Sequence, residues 1–513
     1  MLIKTLGAAV QGIDAILVTI EVSVEQGISY CIVGLPDAAV RESHQRVQSA
    51  LKQSGQEYPR RRVVINMSPA DVKKEGAAYD LPIAVGILAA DGKIAAEALD
   101  GYMIMGELSL DGSVLPIRGV LPMAIKAREM GLRGMIVPRG NATEAAVVDR
   151  LDVYGVDSLS QVIALLRGED EVSPTVVDTR GEFARAVGSC DLDFSDVKGQ
   201  ENVKRAFEVA CAGGHNILLV GPPGAGKSMM AKRLPSILPP LSLREALETT
   251  KIHSVAGRLK GGARLMTERP FRSPHHTISP VALVGGGSNP MPGEISLAHN
   301  GVLFLDEFPE FSRQVLEVMR QPLEDRHISI SRAKYSIDYP AGFMLVASMN
   351  PCPCGYYTHP TKQCICPPGA VQRYLNRISG PLLDRIDMQV EIMPVEFDDL
   401  ASARPGEPSA SVRERVIAAR EIQTARFAGE KGVYCNAQMS TRLINAHALP
   451  DEAGMRRLRD AMRRLDMSAR AYDRILKVAR TIADLDHSDR VCERHIAEAI
   501  TYRSLDRSSW GRS

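Results

Sequence analysis

The run Gly221-Pro222-Pro223-Gly224-Ala225-Gly226-Lys227-Ser228 fits the pattern G-x-x-x-x-G-K-[ST] in full, after the apolar Ile217 to Val220 and before the helix-forming MMAKRLPSIL. Glycines let backbone N–H groups approach phosphate oxygens, a lysine such as Lys227 reaches the outer phosphates, and a hydroxyl such as Ser228 ligates Mg²⁺. Further on, the apolar Gly301-Val-Leu-Phe-Leu ends in Asp306-Glu307. One carboxylate cannot both hold a metal and accept a proton from water, so Asp306 is expected on the Mg²⁺ and Glu307 as general base. A third apolar run, Gly342 to Met349, ends in Asn350, a neutral side chain able to orient that water or touch a γ-phosphate. The chemistry these residues suit is hydrolysis of a nucleoside triphosphate, with ATP and Mg²⁺ as the expected ligands.

A second cluster follows at once. Cys352 and Cys354 pair with Cys364 and Cys366 as two C-x-C units across nine residues. Four thiolates can close a tetrahedral structural Zn²⁺ site, with His359 as a substitute ligand. The spacing departs from the commoner C-x₂-C form, which leaves free thiols as the alternative; disulfides are disfavoured in a reducing compartment. Because the cluster starts two residues after Asn350, metal loss is expected to disturb the γ-phosphate side of the nucleotide site.

These groups need a scaffold, and the chain has one to offer. It has 513 residues, 45% hydrophobic and 24% charged, with a formal net charge of +1, so global charge favours neither nucleic acid nor membrane. No signal peptide or apolar span of membrane length is read at the start, and a cytoplasmic location is expected. Residues 1–167 alternate β-type runs with helical patterns, an α/β domain, and a polar linker is expected at 168–195. Residues 196–395 contain the strands NILLVG, GVLFLDE and GFMLVASMN separated by helical or Gly/Pro-rich segments, the pattern of a parallel sheet with crossovers, and they include the cysteine knuckle at 350–368. A second linker is expected at 396–410. From Ser411 to the end the composition is helical, with 20 Lys and Arg against 14 Asp and Glu.

The order of these features, followed by Gly380-Pro-Leu-Leu-Asp-Arg385-Ile-Asp387 and Ser468-Ala-Arg470, resembles AAA+ ATPases of the magnesium-chelatase and MCM-like branch. That resemblance implies a P-loop AAA+ parallel sheet at 196–395 and a helical lid at 411–513. It implies that Arg385 is the finger reaching a neighbour's ATP, with Arg377 a weaker candidate, and that Arg470 is the lid's sensor-2 arginine. A trans-acting finger implies a ring-shaped homo-oligomer, by family expectation a hexamer. Residues 1–167, with GLPDAAVRES, VINMSPADVKKEGAAYDLPIA and MIMGELSLDGSVLPIRG, resemble the Lon-protease-like domain of the YifB/ComM family. Lon-type proteases need a Ser-Lys pair; here the corresponding run reads Glu75-Gly76-Ala77-Ala78-Tyr79, and Leu121 stands where the Lys would follow Pro116-Ile117-Arg118-Gly119. With no nucleophile an acyl-enzyme route is closed, and a scaffolding domain is expected, with Arg60, Arg61, Arg62, Lys73 and Lys74 as possible DNA contacts.

Two further segments bear on function. One joins Arg269-Pro-Phe-Arg272 to His275-His276-Thr277, Val284-Gly-Gly-Gly287 and Gly293-Glu294; its histidines lack metal-ligand company and are expected only to shape it. The other, Arg326 to Tyr339, alternates like a hairpin whose basic tip, Arg332 and Lys334, could track phosphates while Tyr335 stacks on a base. The family resemblance implies an ATP-driven ring motor on branched or single-stranded DNA, a branch-migration or helicase-type protein of recombination during natural transformation. The alternative is a protein-remodelling ATPase resembling the magnesium-chelatase I subunit, and an ATP-dependent protease fails on the missing Ser-Lys pair.

Overall fold

The computed structural model describes residues 2–169, 172–179, 181, 183, 192–259, 265–287, 290–332, 335–357, 359–394, 406–465 and 467–503. Residues 170–171, 180, 182 and 184–191 of the first expected linker and 396–405 of the second lie outside these residues, as do the side chains of Arg332, Lys334 and Tyr335. The chain divides into two compact units, 1–186 with 243–267, and 187–242 with 268–513.

In the first unit, Leu2–Gln11 and Asp14–Glu25 pair antiparallel from Leu2↔Ser23 to Gln11↔Asp14, and Ile20, Val22 and Val24 alternate into the core. They sit inside a seven-stranded sheet ordered Tyr30–Val33, Arg62–Ser68, Asp14–Glu25, Leu2–Gln11, Tyr102–Ile104, Gly134–Pro138, Asp152–Val156. Helix Asp80–Ala90 is apolar all round, and Leu81 to Ala89 are all buried, as a helix enclosed on every side must be. At its head, Asp80 takes a bidentate pair from Arg46, Nε to Oδ2 at 2.6 Å and Nη2 to Oδ1 at 2.9 Å. Burial pushes Asp80 up to about 6 in spite of that guanidinium. Lys74 is fully buried and donates to the Pro69 carbonyl, which removes it from the surface cations expected to meet DNA. Tyr79 is buried with its hydroxyl on the Ala8 carbonyl, and Leu121 is buried with its N–H on Glu144.

One segment departs from the contiguous domains expected from sequence. Helix Leu243–Val255 lies in the chain between the P-loop and the Asp-Glu strand, yet it belongs to the first unit, against helix Val120–Glu129. Ser254 donates to Glu144 and accepts the Gly119 N–H, and Lys251 pairs with Asp14. Its buried face is largely Ala246, Thr249, Thr250, Ile252 and His253, too weakly apolar to announce which core it joins.

The second unit has a five-stranded sheet, all parallel, ordered Phe271–Arg272, Val302–Leu305, Met344–Met349, Ile217–Val220, Met388–Glu391. The three central strands are wholly buried, which explains their uninterrupted apolar runs. Taken in chain order, the strands lie 2-3-4-1-5, so consecutive connections cross over and the carboxyl ends of the central strands open on one edge, where such sheets bind ligands. The hairpin read from sequence is present as His327–Arg332 and Tyr335–Pro340. Helices Ser409–Arg426, Thr441–His447, Glu452–Arg464, Ala469–Leu485 and Glu493–Thr501 follow, sharing a core with helix Glu201–Gly213. A buried ion pair fastens this bundle: Arg474 Nη1 lies 2.7 Å from Asp387 Oδ1, and Asn216 donates its N–H to Oδ2 at 2.9 Å. Although Asp387 is buried, Arg474 and His215 hold its carboxyl well below the usual range.

Candidate nucleotide site

The P-loop leaves strand Ile217–Val220 and enters helix Lys227–Ala231, with Gly226 at its N-cap in the left-handed region (φ 86°). Gly221 has a different constraint: a Cβ there would stand 2.4 Å from the Ile392 carbonyl, so only glycine lets the loop pass the last strand. Lys227 is nearly buried and its ammonium donates to the Gly221 carbonyl at 2.7 Å, the Pro222 carbonyl at 2.9 Å and Asn350 Oδ1 at 3.1 Å. Burial pushes that amine down, with Asp306 and Glu307 opposing. The residues expected to touch the outer phosphates are therefore brought together by the edge of the sheet.

Ser228 donates to Asp306 Oδ2 at 2.6 Å, so the hydroxyl and carboxylate expected on Mg²⁺ converge from two strands' ends. Asp306 Oδ1 accepts from Ser348 and, at 3.0 Å, from the Glu307 N–H. Ser348 was not singled out from sequence; the one hydroxyl in the buried run Met344–Met349 was the available signal. Glu307 turns outward in the left-handed region (φ 53°) and is 58% exposed, with Oε2 at 3.1 Å from His276 Nδ1. The sequence reading expected His276 only to shape its segment and did not single out this contact with Glu307. The contact arises because Phe271–Arg272 pairs with Val302–Leu303, which sets the residues after Arg272 beside those after Leu305.

The three arginines lie elsewhere. Arg385 is 8% exposed, pairs with Glu324 at 2.5 Å and donates to the Pro381 carbonyl at 2.6 Å. Arg377 pairs with Glu310 at 2.7 Å. Arg470, in the first turn of helix Ala469–Leu485, is exposed and 3.6 Å from Asp384, the residue before Arg385. Among the described residues, none of the three pairs with Lys227, Asp306 or Glu307.

The sulfurs of Cys352, Cys354, Cys364 and Cys366 all lie within 4.8 Å of one another. Individual separations are 3.3 Å (Cys352 to Cys354), 3.8 Å (Cys352 to Cys364) and 3.6 Å (Cys354 to Cys364). Zn–S bonds of about 2.3 Å put tetrahedral sulfurs about 3.8 Å apart, so this donor set fits a zinc ion. His359 instead accepts backbone N–H groups from Thr361 and Lys362. The knuckle leans on the P-loop: a Cβ on Gly355 (φ 85°) would stand 2.5 Å from Pro223 Cδ. Tyr357 and His359 also line, with Gly221, Pro222, Pro351 and Met393, a shallow cleft beside the loop.

Comparison with known proteins agrees with this arrangement. The profile "Magnesium chelatase, subunit ChlI" matches residues 193–400, "Subunit ChlI of Mg-chelatase" matches 20–141, and "Magnesium chelatase, subunit ChlI C-terminal" matches 406–503. The chain is 44% identical over 503 residues to the uncharacterized protein YifB of Salmonella typhimurium, covering 97% of this chain and 96% of that one. It is 43% identical over 501 residues to the competence protein ComM of Haemophilus influenzae, 97% of each chain. A shorter similarity, 31% over 157 residues and 28% of this chain, is to Lon protease 2 of Bacillus subtilis. With full-length likeness on that scale and a P-loop, a paired-carboxylate strand and an Asn-ended strand at one sheet edge, the chain belongs to the YifB/ComM family of magnesium-chelatase-like AAA+ ATPases.

Proposed function

We propose that this protein hydrolyses ATP at the edge formed by residues 221–228, Asp306, Glu307 and Asn350, and that it works as a ring motor on branched DNA. The observation carrying the first part is the convergence of Ser228, Asp306, Lys227 and Asn350 from three adjacent strand ends. Mg²⁺, when bound by Ser228 and Asp306, neutralises charge on the phosphate oxygens. Lys227 supplies a cation to the outer phosphates, and Asn350 orients the water. Glu307 takes one proton from that water as its oxygen bonds to the γ-phosphorus; the bond from γ-phosphorus to the bridging oxygen breaks, and ADP leaves with the electron pair. Arg385 acts on a neighbouring subunit's ATP after leaving Glu324, and Arg470 serves as the lid's sensor-2 arginine; a finger acting in trans makes the working form a ring, by family likeness of six identical subunits.

DNA as the partner is supported by likeness along 97% of the chain to a protein named for competence. Branch migration needs phosphate tracking without base reading, which suits the hairpin formed by His327–Arg332 and Tyr335–Pro340. Four cysteines hold Zn²⁺ as a structural ion. The N-terminal unit, with Ala77, Ala78 and Leu121 where a nucleophile and base would stand, serves as scaffold and not as a protease. The test is the ATPase rate of the purified protein with and without four-way DNA across a salt series. Stimulation that fades as salt rises supports the motor; an intact basal rate that no DNA structure changes overturns the DNA reading.

A further inference from the structure

The excess of Lys and Arg over Asp and Glu beyond Ser411 is concentrated on one element. Helix Glu452–Arg464, EAGMRRLRDAMRR, places five arginines within nine residues and carries only two carboxylates. Its fold needs none of the five. Asp451 caps it by accepting the Gly454 N–H at 2.7 Å, and Leu458 is fully buried in a core that includes Ile496 of helix Glu493–Thr501. At 3.6 residues per turn, Arg456, Arg459 and Arg463 form one stripe turned away from Leu458, with Arg457 and Arg464 in a second row beside it. All five are exposed. Their pairing is slight: Arg456 stands 4.0 Å from Glu452, itself 97% exposed, and Arg457 stands 3.7 Å from Glu493. Among the described residues, Arg459, Arg463 and Arg464 have neither a carboxylate nor a hydrogen-bond partner. The helix dipole favours Arg463 and Arg464, which lie in the last turn. It does nothing for Arg456, Arg457 and Arg459, and Arg459 precedes Arg463 by four residues, a like-charge spacing that weakens a helix. Cations placed against helix stability and left without carboxylates have their complement in a polyanion.

We propose that this arginine face of the lid is a second DNA surface, which takes the phosphodiester backbone of a duplex arm without reading its bases. The proposal rests on the DNA reading above and adds to it a contact outside the hairpin. The stripe from Arg456 to Arg463 runs about 10 Å along the helix. Duplex DNA carries one charge per about 1.7 Å of its axis, so about six phosphates pass along that length. A guanidinium takes two phosphate oxygens at once with its planar fork, whereas an ammonium is a point charge. A face built of arginine with no lysine suits that geometry.

The experiment uses the full chain and a fluorescently labelled four-way DNA, with affinity read by anisotropy across a salt series and the oligomer followed by sedimentation. One variant combines Arg456→Gln, Arg459→Gln and Arg463→Gln; a second, sharing no position with it, combines Arg457→Gln and Arg464→Gln, which covers the case in which the first folds poorly. A charge control combines Lys4→Gln, Lys52→Gln and Arg128→Gln, three exposed cations of the first unit. The slope of log affinity against log salt is expected to become shallower by about 3 in the first variant and about 2 in the second, and to hold in the control. Affinity in the first variant is expected to fall about 100-fold at low salt. Wild-type slopes in both variants overturn the proposal while leaving the DNA reading intact, and so does an equal change in the control, which would make the effect one of net charge. Loss of affinity that follows dissociation of the oligomer places the face between subunits and also overturns it. A wild type that binds no DNA overturns the DNA reading, and the proposal with it.

Discussion

Asp80 and Asp306 are both carboxylates near the end of a buried apolar element, one in each unit, and they are used in opposite ways. Asp80 is sealed: Arg46 takes both oxygens, the Leu108 N–H approaches one of them, and the side chain is wholly buried. Asp306 is also bonded three times, but its donors are a hydroxyl on the P-loop, Ser348 and the N–H of an exposed Glu307. A cation can replace the first of these without leaving a buried charge unpaired. The difference lies in what surrounds a carboxylate and not in its presence, which is why the protease-like unit reads as structure and the P-loop unit as chemistry.

The comparison breaks most sharply at Lys227. Replacing it with Ala removes the cation at the outer phosphates, and ATP turnover is expected to fall about 10²- to 10³-fold with the melting temperature little changed. An unchanged rate would remove the P-loop unit's claim to chemistry. Next, Arg474→Ala strands the buried Asp387 charge, and unfolding by denaturant is expected to show a loss of about 3–5 kcal/mol. A third, smaller effect falls on the link between knuckle and loop. Gly355→Ala forces a Cβ into Pro223 and costs about 1–3 kcal/mol, and stripping metal with a chelator should weaken nucleotide binding in the same direction. Full nucleotide affinity in metal-free protein would disconnect the two.

The smallest effect concerns Asp80 and has a definite sign. Its folded pKa of about 6 exceeds the unfolded value of about 3.9, so its contribution is fully present below the unfolded value and lost as pH rises through about 6. Melting temperature is therefore expected to fall between pH 5 and pH 7 more steeply in the wild type than in Asp80→Asn. Asp387 has the reverse sign: its folded pKa is depressed, and its contribution holds above the unfolded value and is lost only as pH falls through the folded one.

Much of the nucleotide site was legible in the sequence because its parts are local. Residues 221–228, Asp306 with Glu307, and Asn350 each end an apolar run, and parallel pairing brings run ends to one edge without further instruction. His276 was not legible, since its partner is fixed by which strands are neighbours, a property no spacing records. Lys74 looked like a surface cation because sequence cannot show that a chain fold buries a stem and satisfies its ammonium on a carbonyl. Arg385 was expected to reach a neighbour's ATP, and no spacing in the sequence announces its pairing with Glu324, from the helix before the hairpin. Helix Leu243–Val255 was assigned to the wrong core because a helical period says which face is buried but not against what.

The most direct test of the account is ADP formation by Glu307→Gln beside the wild type, with ATP binding measured on the same preparations. The substitution keeps the side chain's shape and removes its capacity to accept a proton. The account predicts that turnover falls about 10²- to 10⁴-fold while ATP still binds. Turnover within a few-fold of the wild type would contradict it, and would mean that the base is a different group at the sheet edge.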